Sequence, residues 1–241
     1  MIVAIQQPEH LPWIGFFNKM SQSDLYVYLD NVQFKKRYFE NRNRIKTKDD
    51  IKWFSVPVLS KGKYEQRLDE VLIDNTSLWG KKYLGLLEHT YKKYPYWEDI
   101  KEIVYPCINN NLNKLVDLNL ALIERCREYL QINTPTERAS KLGVDGFFKS
   151  DLILEICSKT KAKTYISGPD GRNYLSLDKF SERGITVVYH DFIHPAYKQL
   201  QNDFASHLSI IDLIGNCGPE ESRKIVKDSY LIAGLKNEIQ S

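Results

Sequence analysis

Met1-Ile2-Val3-Ala4-Ile5-Gln6-Gln7-Pro8, then Pro12-Trp13-Ile14-Gly15-Phe16-Phe17-Asn18-Lys19-Met20, then Asp24-Leu25-Tyr26-Val27-Tyr28-Leu29: these pieces read as strand, helix and strand within about thirty residues. Ile2 to Ile5 is a short apolar run of the kind that makes a buried strand, and Pro8, which has no N–H for a ladder, ends it. Pro12 stands where a helix tolerates proline, at its start. Strand, loop, helix and strand form a βαβ unit, and βαβ units build parallel sheets. Ligands of open parallel sheets sit beyond the carboxyl ends of the strands. The polar clusters Gln6 to His10 and Asp30 to Gln33 follow the two strands, so both are expected in one site.

Outward from this unit, Trp53 to Val58 reads as a further strand, closed by Pro57 and the Ser60 to Lys63 loop. From Ser77 to about Leu130 the apolar spacing turns helical, with Leu112, Leu115, Val116, Leu118, Leu122 and Ile123 on a long amphipathic helix. Pro95 interrupts the run. After Thr134-Pro135 the α/β alternation returns: helix from Lys149 to Thr160, strand Thr164 to Ser167, helix Leu177 to Arg183 and strand Ile185 to Tyr189. The expected fold class is α/β, a parallel-sheet core started by an N-terminal βαβ unit with a helical insert in the middle of the chain. One domain is expected over residues 1–241, with a mainly helical subdomain at about 77–131. Repeats and low-complexity tracts are absent, and only the last few residues read as a disordered tail.

With 241 residues, 42% of them hydrophobic, the chain can bury a sizeable core. A net charge of +3, from 34 basic and 31 acidic residues, argues against a nucleic-acid partner, whose cations would cluster on one face. Cys107, Cys126, Cys157 and Cys217 stand far apart without a CxxC pair, so zinc is not expected and no metal ligands are assigned. Free thiols and the lack of a signal h-region point to the cytoplasm. No apolar run is long enough to insert into a membrane.

Chemistry concentrates in three places. The loop after the first strand carries Gln6, Gln7, His10 and Trp13 before a helix N-terminus, a position that favours phosphate. The second is Asp30 to Lys46, dense in amides, cations and rings: Asn31, Gln33, Asn41, Arg42, Asn43 and Arg44 supply donors and acceptors for a ligand with hydroxyls and a phosphate or carboxylate. If Asn41 to Arg44 is extended, the asparagines share one face and the arginines the other. The third is the strand-end loop of Ser167, Gly168, Asp170, Arg172, Asn173 and Tyr174, whose glycines permit close backbone approach. His190, Asp191 and His194 follow the next strand, without a third ligand for a metal. Asp30, His10 and His190 are the candidate catalytic groups, as proton acceptors or, for His10, as an adenylate-handling histidine. GxGxxG, GxxxxGK[ST], GxSxG and HExxH are all missing, which counts against a dehydrogenase, a P-loop kinase, a serine hydrolase and a zinc protease.

These clusters, taken in order, resemble the WbqC-like family of bacterial proteins over nearly the whole chain. The resemblance rests on Gln7-Pro8, Leu11-Pro12-Trp13, Gly15-Phe16-Phe17, Asp24, Asp30-Asn31-Val32-Gln33 and Asn41-Arg42-Asn43-Arg44-Ile45. It continues through Val56-Pro57-Val58, Tyr165-Ile166-Ser167-Gly168, Tyr174-Leu175, Tyr197, Gln199 and Ser209-Ile210-Ile211-Asp212. His10 departs from the family pattern, which often has an aromatic near this place. The resemblance implies genes set among those for O-antigen and other surface polysaccharides.

Three expectations follow. The first is an enzyme that modifies a nucleotide-linked amino sugar by N-acyl or aminoacyl transfer, with ATP or a coenzyme A thioester as activator. The second is an ATP-using nucleotidylyl-transfer or ligase-like enzyme working at the first loop. The third is a non-catalytic binding protein of a glycan pathway. The sequence leaves the acyl donor, the sugar and the oligomeric state open.

Overall fold

A computed structural model of the chain describes residues 1–201 and 203–232. The last few residues, read above as a tail, lie outside the described residues. Strand β1 (Ile2–Gln6), helix α1 (Ile14–Ser21) and strand β2 (Leu25–Tyr28) form the opening βαβ unit, and β1 pairs in parallel with β2. A hairpin follows, of β3 (Arg42–Lys46) and β4 (Ile51–Ser55), antiparallel to each other and apart from the main sheet. The helical block is α2 (Trp79–Tyr91), α3 (Trp97–Asn109) and α4 (Leu115–Leu130). The chain then re-enters the sheet as β5 (Thr136–Arg138), followed by α5 (Lys149–Lys159), β6 (Thr164–Ser167), α6 (Leu177–Glu182) and β7 (Thr186–Tyr189). A last helix, α7, runs from Ile210 to Asp228.

The five-stranded sheet has the order β5-β2-β1-β6-β7, and every pair in it is parallel. Its two faces are both covered, which is why the strands read as apolar runs rather than as alternating ones. Ile2 and Ala4 of β1 and Tyr26 and Tyr28 of β2 join the core that contains α1, the helical block and α7. The alternate residues Val3, Ile5, Val27 and Leu29 pack on the other side, with Leu152, Ile153 and Ile156 of α5 and Phe180 of α6.

Helix α1 is buried from Ile14 to Met20, polar Asn18 and Lys19 included. Its environment on all sides is protein, with α7 packed along it. The expected helix Pro12 to Met20 starts two residues later than its proline. The strand expected over Trp53 to Val58 is displaced: β4 starts at Ile51 and ends at Ser55, and Val58 forms only an isolated bridge to Ile73. Pro57 explains the early stop. Two elements were not legible. Strand β5 is only three residues long, at the sheet edge beyond Pro135, too short for a periodic signal. Helix α7 is kinked at Gly218, whose φ of 70 opens the break before Pro219.

Cys107, Cys126 and Cys157 are buried and Cys217 is half-buried, all as free thiols. No helix among the described residues is long and apolar enough to cross a membrane.

Candidate functional site

The carboxyl ends of β1, β6 and β7 and the start of α1 surround a cleft of about 510 Å³. Gln6, Gln7 and Glu9 enter it from the loop after β1, and Ser167, Gly168 and Asp170 from the loop after β6. His190 and Phe192 follow β7, and Lys35, Tyr38 and Arg44 close the side. Trp13 occupies the mouth of α1. Its indole folds back over the first helical turn, because Gly15 has no side chain: a Cβ there would lie 2.5 Å from the ring. His207 stacks on the indole at 4.9 Å, and Phe192 meets it edge-on at 5.2 Å. No side chain caps the first turn of α1, and the Trp13 indole covers it.

The floor holds two charged groups that the sequence did not single out. Glu9 accepts a hydrogen bond on Oε1 from Gln6 Nε2 at 2.9 Å. Its Oε2 is enclosed and has no partner. Burial pushes this carboxyl up to about 7, against the opposing pull of the Gln6 amide and of Lys19. Lys19, only 3% exposed, donates to the Ile5 carbonyl at 3.4 Å. Burial lowers its ammonium to about 8, and Glu9 opposes the shift. Burial thus moves the carboxyl up and the amine down, both toward neutral pH. The signal available in the sequence was a lysine inside the otherwise apolar Ile14 to Met20 helix, and a glutamate between Pro8 and His10.

Of the candidate catalytic groups, only His190 reaches the cleft. Asn18 donates both amide hydrogens to the carbonyls of Val226 (2.8 Å) and Tyr230 (2.9 Å), so its Oδ1 must accept. His190 Nε2 therefore carries the proton it shares with that oxygen at 2.7 Å, and Nδ1 keeps its lone pair. Burial lowers this imidazole to about 3, with Lys19 adding to the shift, so it stays neutral at physiological pH.

His10 and Asp30 require correction. His10 is fully buried behind the cleft. Asn119 donates to the carbonyls of Pro8 and Glu40, and its Oδ1 accepts from His10 Nδ1 at 3.0 Å. The other ring nitrogen accepts from the Tyr83 hydroxyl at 2.8 Å. With both nitrogens engaged, His10 anchors the loop and cannot handle an adenylate. Asp30 has no exposed surface, and its carboxylate accepts from Arg138 Nε, the Ser140 amide and the Ser140 hydroxyl at 2.6–2.9 Å. It ties β2 to the end of β5 rather than receiving a proton from a ligand.

The amide- and arginine-rich segment divides in the same way. Asn41 to Arg44 is extended, and its alternating faces separate. Asn43 is buried and donates to the carbonyls of His10 and Leu11. Asn41 donates to the Val56 carbonyl at 3.0 Å. Arg42 lies 4.0 Å over the Trp53 ring and donates to the Arg37 carbonyl, outside the cleft. Arg44 lines the cleft and donates to the His207 carbonyl at 2.8 Å. Asn31 and Gln33 line a neighbouring groove, where Gln33 donates to the Tyr64 carbonyl at 2.7 Å.

After β6, Ser167 is buried beneath the turn, and Gly171 allows that turn to close on it, since a Cβ would stand 2.0 Å from Ser167 Oγ. Tyr174 lines both cleft and groove. Arg172 points away: it forms a bidentate pair with Asp191 (2.6 and 2.7 Å) and lies 4.0 Å over Tyr189. Asn173 is exposed on the same turn and does not line the cleft. Tyr197, Gln199 and Tyr91 all donate to buried Asp212, which fastens the 190–209 segment to α7. No group of three or more His, Cys, Asp or Glu among the described residues is arranged to hold a metal ion.

The class is thus an open parallel α/β protein with a polar cleft at the carboxyl edge of its sheet. Within it, the chain belongs to the WbqC-like protein family, whose model matches residues 7–224. It is similar to a Mycobacterium tuberculosis protein described as "Uncharacterized protein Rv1507c", with 34% identity over 221 residues, 90% of this chain and 94% of that protein. No solved structure matches the chain.

Proposed function

We propose that the cleft acylates or aminoacylates the amine of a nucleotide-linked amino sugar during assembly of a bacterial surface polysaccharide. The observation that carries this is Glu9: a carboxyl lining a polar cleft, raised to about 7, with one oxygen enclosed and unpartnered. An attacking amine must be neutral, and a base with a value near the working pH removes its proton most effectively. Lys35 and Arg44 suit a diphosphate. Gln6, Gln7 and Asp170 suit hydroxyls, and Tyr38 offers a ring face. Neutral His190, with a free lone pair on Nδ1, would accept a hydrogen bond from the amine and aim it. The volume falls within the roughly 300–1,000 Å³ usual for small-molecule sites. The polysaccharide context comes from the family resemblance, and four free thiols support a cytoplasmic site of action.

The test is a thermal-shift panel of nucleotide-linked amino sugars, followed by turnover with acyl donors. A ligand at a hundred times its dissociation constant adds about 2.7 kcal/mol. Glu9→Gln should retain sugar binding and lose roughly 10²–10⁴ in rate. Wild-type activity should rise with pH through about 7, as the Glu9 carboxyl ionises. If no nucleotide-linked amino sugar binds or is modified, the proposal fails.

A further inference from the structure

Beside the cleft runs a second cavity of about 900 Å³. The two share Gln7, Leu29, Lys35, Ile153 and Tyr174, so they adjoin along one wall. Their chemistry differs. In the second lobe Val32, Phe147 and Phe148 give apolar surface beside the charged Lys35, Arg67, Asp145 and Lys149. Phe147 is 42% exposed and Phe148 75% exposed, an arrangement that leaves large rings in water without covering anything. Two adjacent exposed rings on a cavity wall offer apolar surface to a ligand. Phe148 also occupies the N-cap of α5 and supplies no acceptor there, so the local helix gains nothing from it. One polar atom, Asn31 Oδ1, is buried in the lobe without a hydrogen-bond donor.

We propose that this groove binds the acyl chain of an acyl thioester, the donor for the transfer at Glu9; the inference rests on the acyl-transfer function above. The apolar surface takes the chain and the shared wall brings the thioester carbonyl beside the amine. In the reaction the amine nitrogen attacks the thioester carbon. A C–N bond forms and the C–S bond breaks. One amine proton passes to Glu9, which returns it to the departing thiolate, so that the carrier leaves as the free thiol and Glu9 is again a carboxylate.

The test measures binding of octanoyl-coenzyme A and of unacylated coenzyme A by calorimetry, to wild type and two variants. Phe148→Asp removes the ring and installs a favoured N-cap, so it should fold at least as well. Phe147→Ser is the second variant. The expected result is wild-type binding of the octanoyl thioester that exceeds coenzyme A and weakens about tenfold or more in both variants. Nucleotide-sugar binding should be unchanged in both. Equal affinity for acylated and bare coenzyme A, or variants that bind like wild type, overturns the groove. If nucleotide-linked amino sugars bind and octanoyl-coenzyme A does not, the groove assignment falls while the Glu9 function stands. If octanoyl-coenzyme A binds through the two rings and no nucleotide-linked amino sugar does, the groove stands and the proposed acceptor falls.

Discussion

Two buried histidines, His10 and His190, are each held by an asparagine whose amide is pinned to two backbone carbonyls. In both pairs the asparagine oxygen can only accept, and so it sets the histidine tautomer. They differ in the second nitrogen. That of His10 is taken by Tyr83, whereas His190, which lines the cleft, keeps the lone pair of its second nitrogen. The same contrast separates Asp30, with three donors on its carboxylate, from Glu9, with one donor and an empty oxygen. Polar groups that are complete belong to the architecture, because leaving a buried partner unmet costs more than the bond itself contributes. Groups left incomplete in a cavity are those a ligand can complete.

The largest effect should come from the complete side. Asp30→Ala leaves Arg138 and the Ser140 amide without their acceptor, and should cost about 4 kcal/mol in urea unfolding. A loss below about 1 kcal/mol, a typical net hydrogen bond, would mean the network is not structural. Next, Asn119→Ala strands His10 Nδ1 and two carbonyls, and should cost about 3 kcal/mol while the folded protein binds nucleotide-linked sugars as before. Reduced affinity in folded protein would show that the His10 network does reach the ligand.

On the incomplete side the sign reverses. Glu9 has a folded value of about 7 against an ordinary 4.5, so the folded protein holds this proton more tightly than the unfolded chain. Stability then falls as pH rises from about 4.5 to about 7, and the penalty is fully present above that. Glu9→Gln should therefore be more stable than wild type at pH 8, by about 2 kcal/mol, with the difference gone near pH 4. Thermal melts across that range measure it, and a variant that is less stable at pH 8 would contradict the reading of Glu9 as an unmet group. The smallest effect belongs to Arg172, an exposed cation already paired with Asp191. Arg172→Ala should leave the melting temperature and nucleotide-sugar binding unchanged. Weaker sugar binding would place Arg172 in the site after all.

Much of the fold was legible because its signals are local. Ile2 to Leu29 has the period of a βαβ unit, and Thr164 to Tyr189 repeats the alternation with breaks at Gly168-Pro169 and Gly184. Strand β5 and helix α7 were not legible, since three edge residues carry no period and Gly218-Pro219 divides the helical one. Of the strand-end loops that the carboxyl-end rule pointed to, those after β1, β6 and β7 line one cleft, whereas Asn31 and Gln33 line the neighbouring groove. Which polar residues face the cleft was not legible. Asn43 and Asn41 look identical to ligand-binding amides in sequence, yet Asn43 holds the hairpin to the loop of His10 and Asn41 donates to the Val56 carbonyl.

The sequence alone therefore determined the parallel α/β core, its opening βαβ unit and its helical insert, because hydrophobic period and turn chemistry act between near neighbours. Only the tertiary structure decided the division of labour within the polar clusters. Asp30 meets Arg138 and His10 meets Asn119 across about a hundred residues of chain, 108 and 109 respectively. Whether a buried polar group is satisfied depends on such distant partners, and that satisfaction separates Glu9, Lys19 and His190 from residues of the same chemical type.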